Sequence, residues 1–506
     1  MNKKKISKKN LQETKKDNFL SFVLQKQQRW DWIIMTVLCL IGYIAVKYFY
    51  PYPATMSDSG SYVVAAMNDM FSFYRPFGYS YFLQIIHSIS SSVHAVFIFQ
   101  MLLYFISTAV FAFTIKYFFS PNNKILWYLL LLFLSFSPLA FFMANSILSD
   151  LIFSVSIYLM LSGLLFIIMR QSWVGLILFS ITLFCSLSIR YSAVIFPFVF
   201  IPFLLFSKGS IRWITIACSI VIFFIFYSQI KNNMKETTGF NQFSTGFDGW
   251  QLSNNALHIF PFIDLKPESI KNKNLRTFHQ FLLPYKNMIL ERTNNGKDVT
   301  ADFLWGTDLP LKQYLYKSMQ ELNRPYPKMW ISLGSGLYAD YGRYLILHYP
   351  FKFMRYYYLP NAERMFYTTH TGVMGNYKGV DAEKDIMNWY NIPEGDNLSC
   401  KNDFYGSFLA KCISVSYIFI WIAIAIIGII GVLYRKKIKF DKQEKIAFWG
   451  LFTFGAIYYA STIFMSPIEL RYWLPMACIQ FAFCYILLNK FSECLKSFQL
   501  FIKNKA

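Results

Sequence analysis

Apolar residues run through this chain in long blocks separated by short polar loops. Ten blocks approach or reach the length needed to cross about 30 Å of hydrocarbon. They lie at residues 32–49, 93–117, 125–143, 151–169, 173–189, 193–206, 213–230, 413–433, 446–464 and 473–488. The sixth is short and broken by Pro197 and Pro202, a break that neighbouring helices can accommodate. Residues 231–411 carry no such block. The pattern predicts an all-α polytopic membrane protein of about ten transmembrane helices, with an α-rich or mixed segment between the seventh and eighth.

Composition agrees: of 506 residues, 55% are hydrophobic, 20% aromatic and only 15% charged, with a mean hydropathy of +0.34. The net charge of +22 is informative through its placement. Lys3, Lys4, Lys5, Lys8, Lys9, Lys15, Lys16, Lys26 and Arg29 crowd the segment before the first block, and a second basic run fills residues 435–445. These are flanks of membrane helices, so the charge argues for membrane lipids and against nucleic acid. If the N-terminus is cytoplasmic, then Lys116 and Lys124, Arg170, Lys208 and Arg212, and the 435–445 run all share that side. The first block has no small-residue cleavage site and is read as an uncleaved helix.

The division that results is a basic cytoplasmic N-terminus (1–31), a helical core (32–230) with its first outer loop at 50–92, an extracytoplasmic segment (231–411), further helices (412–490) and a cytoplasmic tail (491–506). In the outer segment, residues 341–367 interleave Tyr and Phe with Arg343, Lys352, Arg355 and Arg364. That is the character of an interfacial helix at headgroup level.

Several chemistries lose support. No CxxC or HExxH spacing is present, and neither is a GxSxG elbow, a P-loop or a Rossmann glycine pattern. The six histidines are scattered. Of eight cysteines, only Cys400 and Cys412 are placed to pair in an oxidising compartment, and whether they do is open. The sequence implies no cofactor or standard metal site and leaves divalent-metal assistance open.

What remains is a set of acids and arginines at the outer rim. Asp58 follows the first span; desolvation there would raise its pKa and make it a better proton acceptor, while an N-cap role for the helix that follows is equally plausible. Asp150 opens the fourth span, where capping and helix-dipole placement are the simpler reading. Asp69 reads as a solvated loop acid. Arg75, held extended by Pro76, projects toward the Asp58 cleft or anchors a headgroup. Arg190 and Arg471 end apolar spans, where each either binds phosphate or snorkels, with Glu469 a nearby partner for Arg471.

In order along the chain stand DSGSY (58–62), RPFGYSYFL (75–83), NSILSDLIF (145–153), SIRYSAVIFPF (188–198), HYPFKF (348–353) and ELRYWLP (469–475). Together they resemble the polytopic GT-C glycosyltransferases, nearest the branch of protein O-mannosyltransferases and the lipid A aminoarabinose transferase, over roughly residues 30–230 and 340–490. Many relatives have Asp-Glu where this chain has Asp58-Ser59, and Pro-Pro-Gly-Tyr-Pro where it has residues 76–80 as Pro-Phe-Gly-Tyr-Ser. The resemblance implies transfer of a sugar from a polyprenyl-phosphate donor to an extracytoplasmic acceptor at the cell (inner) membrane. It implies Asp58 as base with Asp150 as the second catalytic acid. A phosphate leaving group needs cations rather than a strong general acid, which nominates Arg75, Arg190, Arg471 and Arg355 as phosphate ligands. Tyr62, Tyr79 and Trp250 are the candidate sugar-facing aromatics.

Other classes compete. A flippase or transporter for lipid-linked glycans would place ionisable residues deep within spans. An envelope polysaccharide polymerase or ligase would differ only in its donor, and a scaffold would tolerate loss of Asp58.

Overall fold

A computed structural model of the chain describes residues 18–56, 58–70, 75–120, 123–366, 384–392 and 403–503. Among the described residues the chain is helical throughout, with a single isolated parallel bridge between Ala54 and Ser146 and no strand. Eight helices are long and apolar enough to cross a membrane: Lys26–Phe49, Val93–Phe118, Lys124–Ala144, Asp150–Arg170, Ile211–Thr238, Lys411–Leu433, Lys442–Met465 and Leu470–Cys494. The chain is therefore a multi-pass, all-α membrane protein.

Two of the ten expected spans are shorter apolar helices, Trp173–Ile189 and Tyr191–Phe206. At 1.5 Å per residue, 17 residues reach only about 26 Å. The expected third span is bent rather than straight: Lys124–Ser135 ends, and Pro138–Ala144 restarts under a Ser137 cap, because Pro138 cannot continue the preceding helix's hydrogen bonds.

Asp150–Arg170 is the central helix, buried along nearly its whole length. It meets Trp173–Ile189 at a paired small-residue contact. A Cβ on Gly163 would come within 2.7 Å of the Gly175 carbonyl oxygen, so the backbones touch there. Ser186 Oγ donates to Ser156 Oγ at 2.9 Å higher in the same seam.

At the end of the bundle carrying the basic loops, a buried polar knot ties three spans. Asp31, 1% exposed, pairs with Lys116 and accepts from Trp127 Nε1 at 3.0 Å, while Lys116 also donates to Gln28 Oε1 at 2.7 Å. A carboxylate taken out of water needs such partners.

The segment after Gly239 is a cluster of short helices around stacked aromatics. Trp250 and Trp330 lie 3.9 Å apart, and Tyr338 meets Trp250 edge-on at 4.6 Å. The expected interfacial stretch forms an almost continuous helix from Ala339 to Phe366. It buries Tyr341, Leu345, Phe353, Tyr357 and Met365 and leaves Leu347, Phe351 and Leu359 exposed beside Lys352 and Arg355, an apolar-and-basic face suited to lipid headgroups. Cys400 lies outside the described residues; Cys412 is an exposed free thiol.

Candidate functional site

The site begins where the first span ends. Pro51 and Pro53 stop the helix at Phe49, leaving carbonyls that need partners. Lys47, on the last turn, donates to Pro51 O at 3.0 Å and to Asn145 Oδ1 at 2.8 Å. Asn145 in turn donates from Nδ2 to Tyr50 O at 3.1 Å and Tyr52 O at 3.0 Å. The backbones join as well: Ala54 N donates to Asn145 O at 2.7 Å and Ile147 N to Ala54 O at 2.9 Å. Ser59 Oγ accepts from Met56 N and donates to Ile147 O, both at 2.8 Å. Two loops distant in sequence are thus held in register, and each delivers one acid: Asp58 at the start of the helix Ser59–Met67, Asp150 at the start of Asp150–Arg170.

Neither acid caps its helix. Asp58 occupies the N-cap position of Ser59–Met67, yet its side chain makes no capping bond; Asp150 sits one residue past the Ser149 N-cap. Both carboxylates face arginines. Arg75 Nη2 lies 2.6 Å from Asp58 Oδ1, and its Nη1 donates to Asp58 O at 3.0 Å and Ser61 Oγ at 2.9 Å. Arg190 pairs with Asp150 Oδ1. Arg471 Nη1 reaches between the two, 3.4 Å from Asp58 Oδ2 and 3.8 Å from Asp150 Oδ2. Capping, the simpler expectation for Asp150, gives way because a buried carboxylate gains more from two guanidiniums than from helix amides alone.

Arg471 arrives on the turn Leu470–Met476, and it pairs with these two acids rather than with Glu469. The turn is clamped from the segment that follows Gly239. Asn361 Nδ2 donates to Ile463 O and Ser466 O, both at 2.7 Å, and Asn361 Oδ1 accepts from Ile468 N at 2.8 Å. Asn255 Nδ2 donates to Phe464 O at 2.9 Å and Met465 O at 3.0 Å, and Trp473 Nε1 to Met365 O at 2.7 Å.

In the direct ion pairs of the cluster three guanidiniums face two carboxylates, with Glu469 acting on Arg471 from beyond ion-pair distance. Arg471 is also under-engaged: its two acid contacts are long, and its buried Nε has no hydrogen-bond partner. The site can therefore take an anion. Asp58 is the accessible acid, its side chain 25% exposed against 4% for Asp150. Burial pushes the Asp58 carboxyl up, but the charges of Arg75, Arg471 and Arg190 outweigh it and hold the group below the usual carboxylate range. This reverses the expectation of a raised pKa, because partial burial here comes with three nearby cations.

Of the other candidates, Tyr62 belongs to the site's wall: Arg75 lies over its ring at 4.6 Å, and its hydroxyl shares a 2.8 Å hydrogen bond with Ser149 Oγ. Tyr79 is fully buried and donates to Gln100 Oε1 at 3.2 Å, so it supports the site from behind and cannot face a sugar. Trp250 is buried in the aromatic stack with Trp330 and Tyr338, its Nε1 donating to Trp330 O at 3.0 Å, and it too is structural. Arg355 is exposed beside Tyr356 and takes no part in the cluster's ion pairs, since it belongs to the apolar-and-basic helix face.

Lys47, Asn145 and Gln100 had not been singled out as site residues. Gln100, fully buried inside an apolar span, donates to Ala144 O at 2.8 Å and Ser146 O at 3.0 Å. Its signal was available: an isolated amide in a hydrophobic block has to find polar partners. Among the described residues no three His, Cys, Asp or Glu side chains are grouped to hold a metal. Compared with known family models, curated proteins and solved structures, the chain matches none.

Proposed function

We propose that this protein is a membrane glycosyltransferase that moves a sugar from a polyprenyl-phosphate donor to a hydroxyl of an extracytoplasmic acceptor. The observation that carries this reading is Arg471, a buried guanidinium shared loosely between two carboxylates, with a free Nε in a cluster whose direct ion pairs set three guanidiniums against two carboxylates. A phosphate oxygen would complete its hydrogen bonds. In this reading the cluster faces away from the cytoplasm, since the Lys- and Arg-rich loops belong to the opposite end.

Asp58 takes the proton of the acceptor hydroxyl, the hydroxyl oxygen forms a bond to the anomeric carbon, and the bond from that carbon to the phosphate oxygen breaks. Its electron pair leaves on the polyprenyl phosphate, held by Arg471, Arg190 and Arg75, with inversion at the anomeric centre. Asp150 touches none of the reacting atoms; as a positioning residue it orients Arg190 and Arg471. The lowered pKa of the resting Asp58 fits this sequence of events. An arriving phosphate draws charge from the same arginines, so donor binding raises the basicity of Asp58 only when a donor is present.

The test is transfer from a radiolabelled polyprenyl-phosphate sugar by membranes carrying the wild type or Asp58→Asn. Loss of transfer with donor binding retained supports the reading. Full transfer by Asp58→Asn overturns Asp58 as base, and donor left unconsumed by the wild type overturns the transferase reading in favour of transport.

A further inference from the structure

A cavity opens beside the site, between the helices Ser59–Met67, Gly78–Ile89 and Ile211–Thr238. Its volume is 230 Å³, below the roughly 300–1,000 Å³ of drug-sized pockets and suited to one sugar ring. Polar residues come from two sides: Asp69, Ser80 and Gln84 on one, Asn233, Glu236 and Thr237 on the other. The spacing explains the convergence, because Ser80 and Gln84 are one helical turn apart, as are Asn233 and Thr237.

Two features separate this cavity from a chance groove. Ser80 lines the cavity and is 4% exposed, and its buried Oγ has no hydrogen-bond partner. An orphaned hydroxyl at that depth is costly unless a ligand or water engages it. The charge is also one-sided: Asp69 and Glu236 line the cavity, and among the described residues no cationic side chain does. Gln84 fixes Asp69 by donating to its Oδ1 at 3.2 Å while holding Ala66 O at 2.8 Å. Tyr81, 46% exposed, supplies an aromatic face at the rim.

We propose that this cavity is the acceptor subsite and binds an amine-bearing sugar ring. The two carboxylates match an ammonium group, the amides and hydroxyls match ring hydroxyls, and an anionic sugar is repelled. The inference rests on the glycosyltransferase reading. From Asp58 at the start of the helix Ser59–Met67, Ala65 in the cavity wall is seven residues on, about 10 Å along the axis. A ring held there belongs to an acceptor of more than one unit, its neighbour carrying the hydroxyl presented to Asp58. Donor phosphate and acceptor amine are then sorted by opposite charge.

The test is ligand-observed saturation-transfer NMR on the full chain in lipid nanodiscs, with glucosamine, glucose and glucuronic acid as probes. Glucosamine saturates most strongly and glucuronic acid least. Glu236→Gln and Asp69→Asn, isosteric changes at exposed positions, each weaken glucosamine roughly tenfold while leaving glucose within about twofold. Asp58→Asn leaves the ranking unchanged, so binding is read independently of transfer. Equal saturation by all three sugars, or a glucosamine signal indifferent to both variants, overturns the subsite. Neither result bears on the transfer assay, whose own failure would overturn the transferase reading instead.

Discussion

Arg471 Nη1 stands 3.4 Å from Asp58 Oδ2, a contact between residues 413 positions apart that joins the first interhelical loop to the last. The same nitrogen lies 3.8 Å from Asp150 Oδ2, so one cation orders both acids. Its loss has a specific expected signature. Arg471→Gln removes the under-engaged phosphate ligand and leaves Asp150 its Arg190 partner, so the KM for lipid-linked donor should rise roughly tenfold or more, with a smaller change in kcat. Arg471→Lys keeps the charge but cannot span two carboxylates, and should fall between the two. Donor titrations of the three proteins decide it; unchanged KM in Arg471→Gln would remove Arg471 from the phosphate site.

The lowered Asp58 pKa predicts where activity fails on acidification. With its folded-state pKa below 3.8, Asp58 is ionised throughout the neutral range. The stability its ion pairs contribute is present above the unfolded value and lost only as pH falls through the lower folded one. The acid limb of kcat/KM should therefore lie below the ordinary carboxylate range. Arg75→Gln takes away the largest of the lowering charges, leaving burial less opposed, so the limb moves to higher pH. Matching pH profiles for the two proteins would show that Asp58 is not the titrating group.

Much of this site was legible because membrane helices are simple to read and rim charges are rare. Asp58 and Arg75 stood out as ionisable groups in the first outer loop, and Asp150, Arg190 and Arg471 at the ends of apolar blocks, and they do converge. Their pairing was not legible: Glu469 is the nearest acid in sequence to Arg471, whereas the partners lie in other loops. Nor did the sign of the Asp58 shift follow, since it depends on three arginines brought from three segments. Tyr79 and Trp250 failed as sugar-facing residues for a related reason. Aromatics make up 20% of the chain, and composition does not separate those that pack from those that bind.

Backbone contact beside the site sets another expectation. Gly78 follows the Arg75-Pro76 turn, and a Cβ added to it would meet Ser188 O at 2.7 Å and Ser188 C at 2.8 Å. Those are backbone atoms two residues before Arg190, so they cannot swing aside as a side chain tip would. Gly78→Ala should push the helix Gly78–Ile89 off Trp173–Ile189, costing about 1–3 kcal/mol and loosening Arg75 and Arg190 together. Lower thermal stability in detergent accompanied by weaker donor binding is the expected pair of results; wild-type values for both would mean that the helices can separate without disturbing the site.

The clamp that Asn255 and Asn361 place on the Arg471 turn has its own pH limit. His258 is fully buried; its Nε2 accepts from Thr300 N at 3.0 Å and its Nδ1 lies 3.0 Å from Asn254 O, which fits a neutral ring. Burial lowers its pKa to about 4, outweighing the hydrogen bonds that oppose the shift. His279, buried between Tyr341 and Leu265 O, is lowered for the same reason. Because the folded value is depressed, the stabilising effect is complete above the unfolded value near 6.5 and is lost as pH falls toward 4, on the order of 3 kcal/mol for His258. Asn255, adjoining the His258 acceptor Asn254, holds Phe464 O and Met465 O, so the loss should reach the turn that carries Arg471. Thermal melts between pH 7 and 4.5 should show a falling midpoint, accompanied by faster amide exchange at Thr300. His258→Gln keeps donor and acceptor groups without a titrating ring, and should flatten most of that slope. A slope unchanged in His258→Gln would place the acid sensitivity in His279 and would uncouple the helices around His258 from the site.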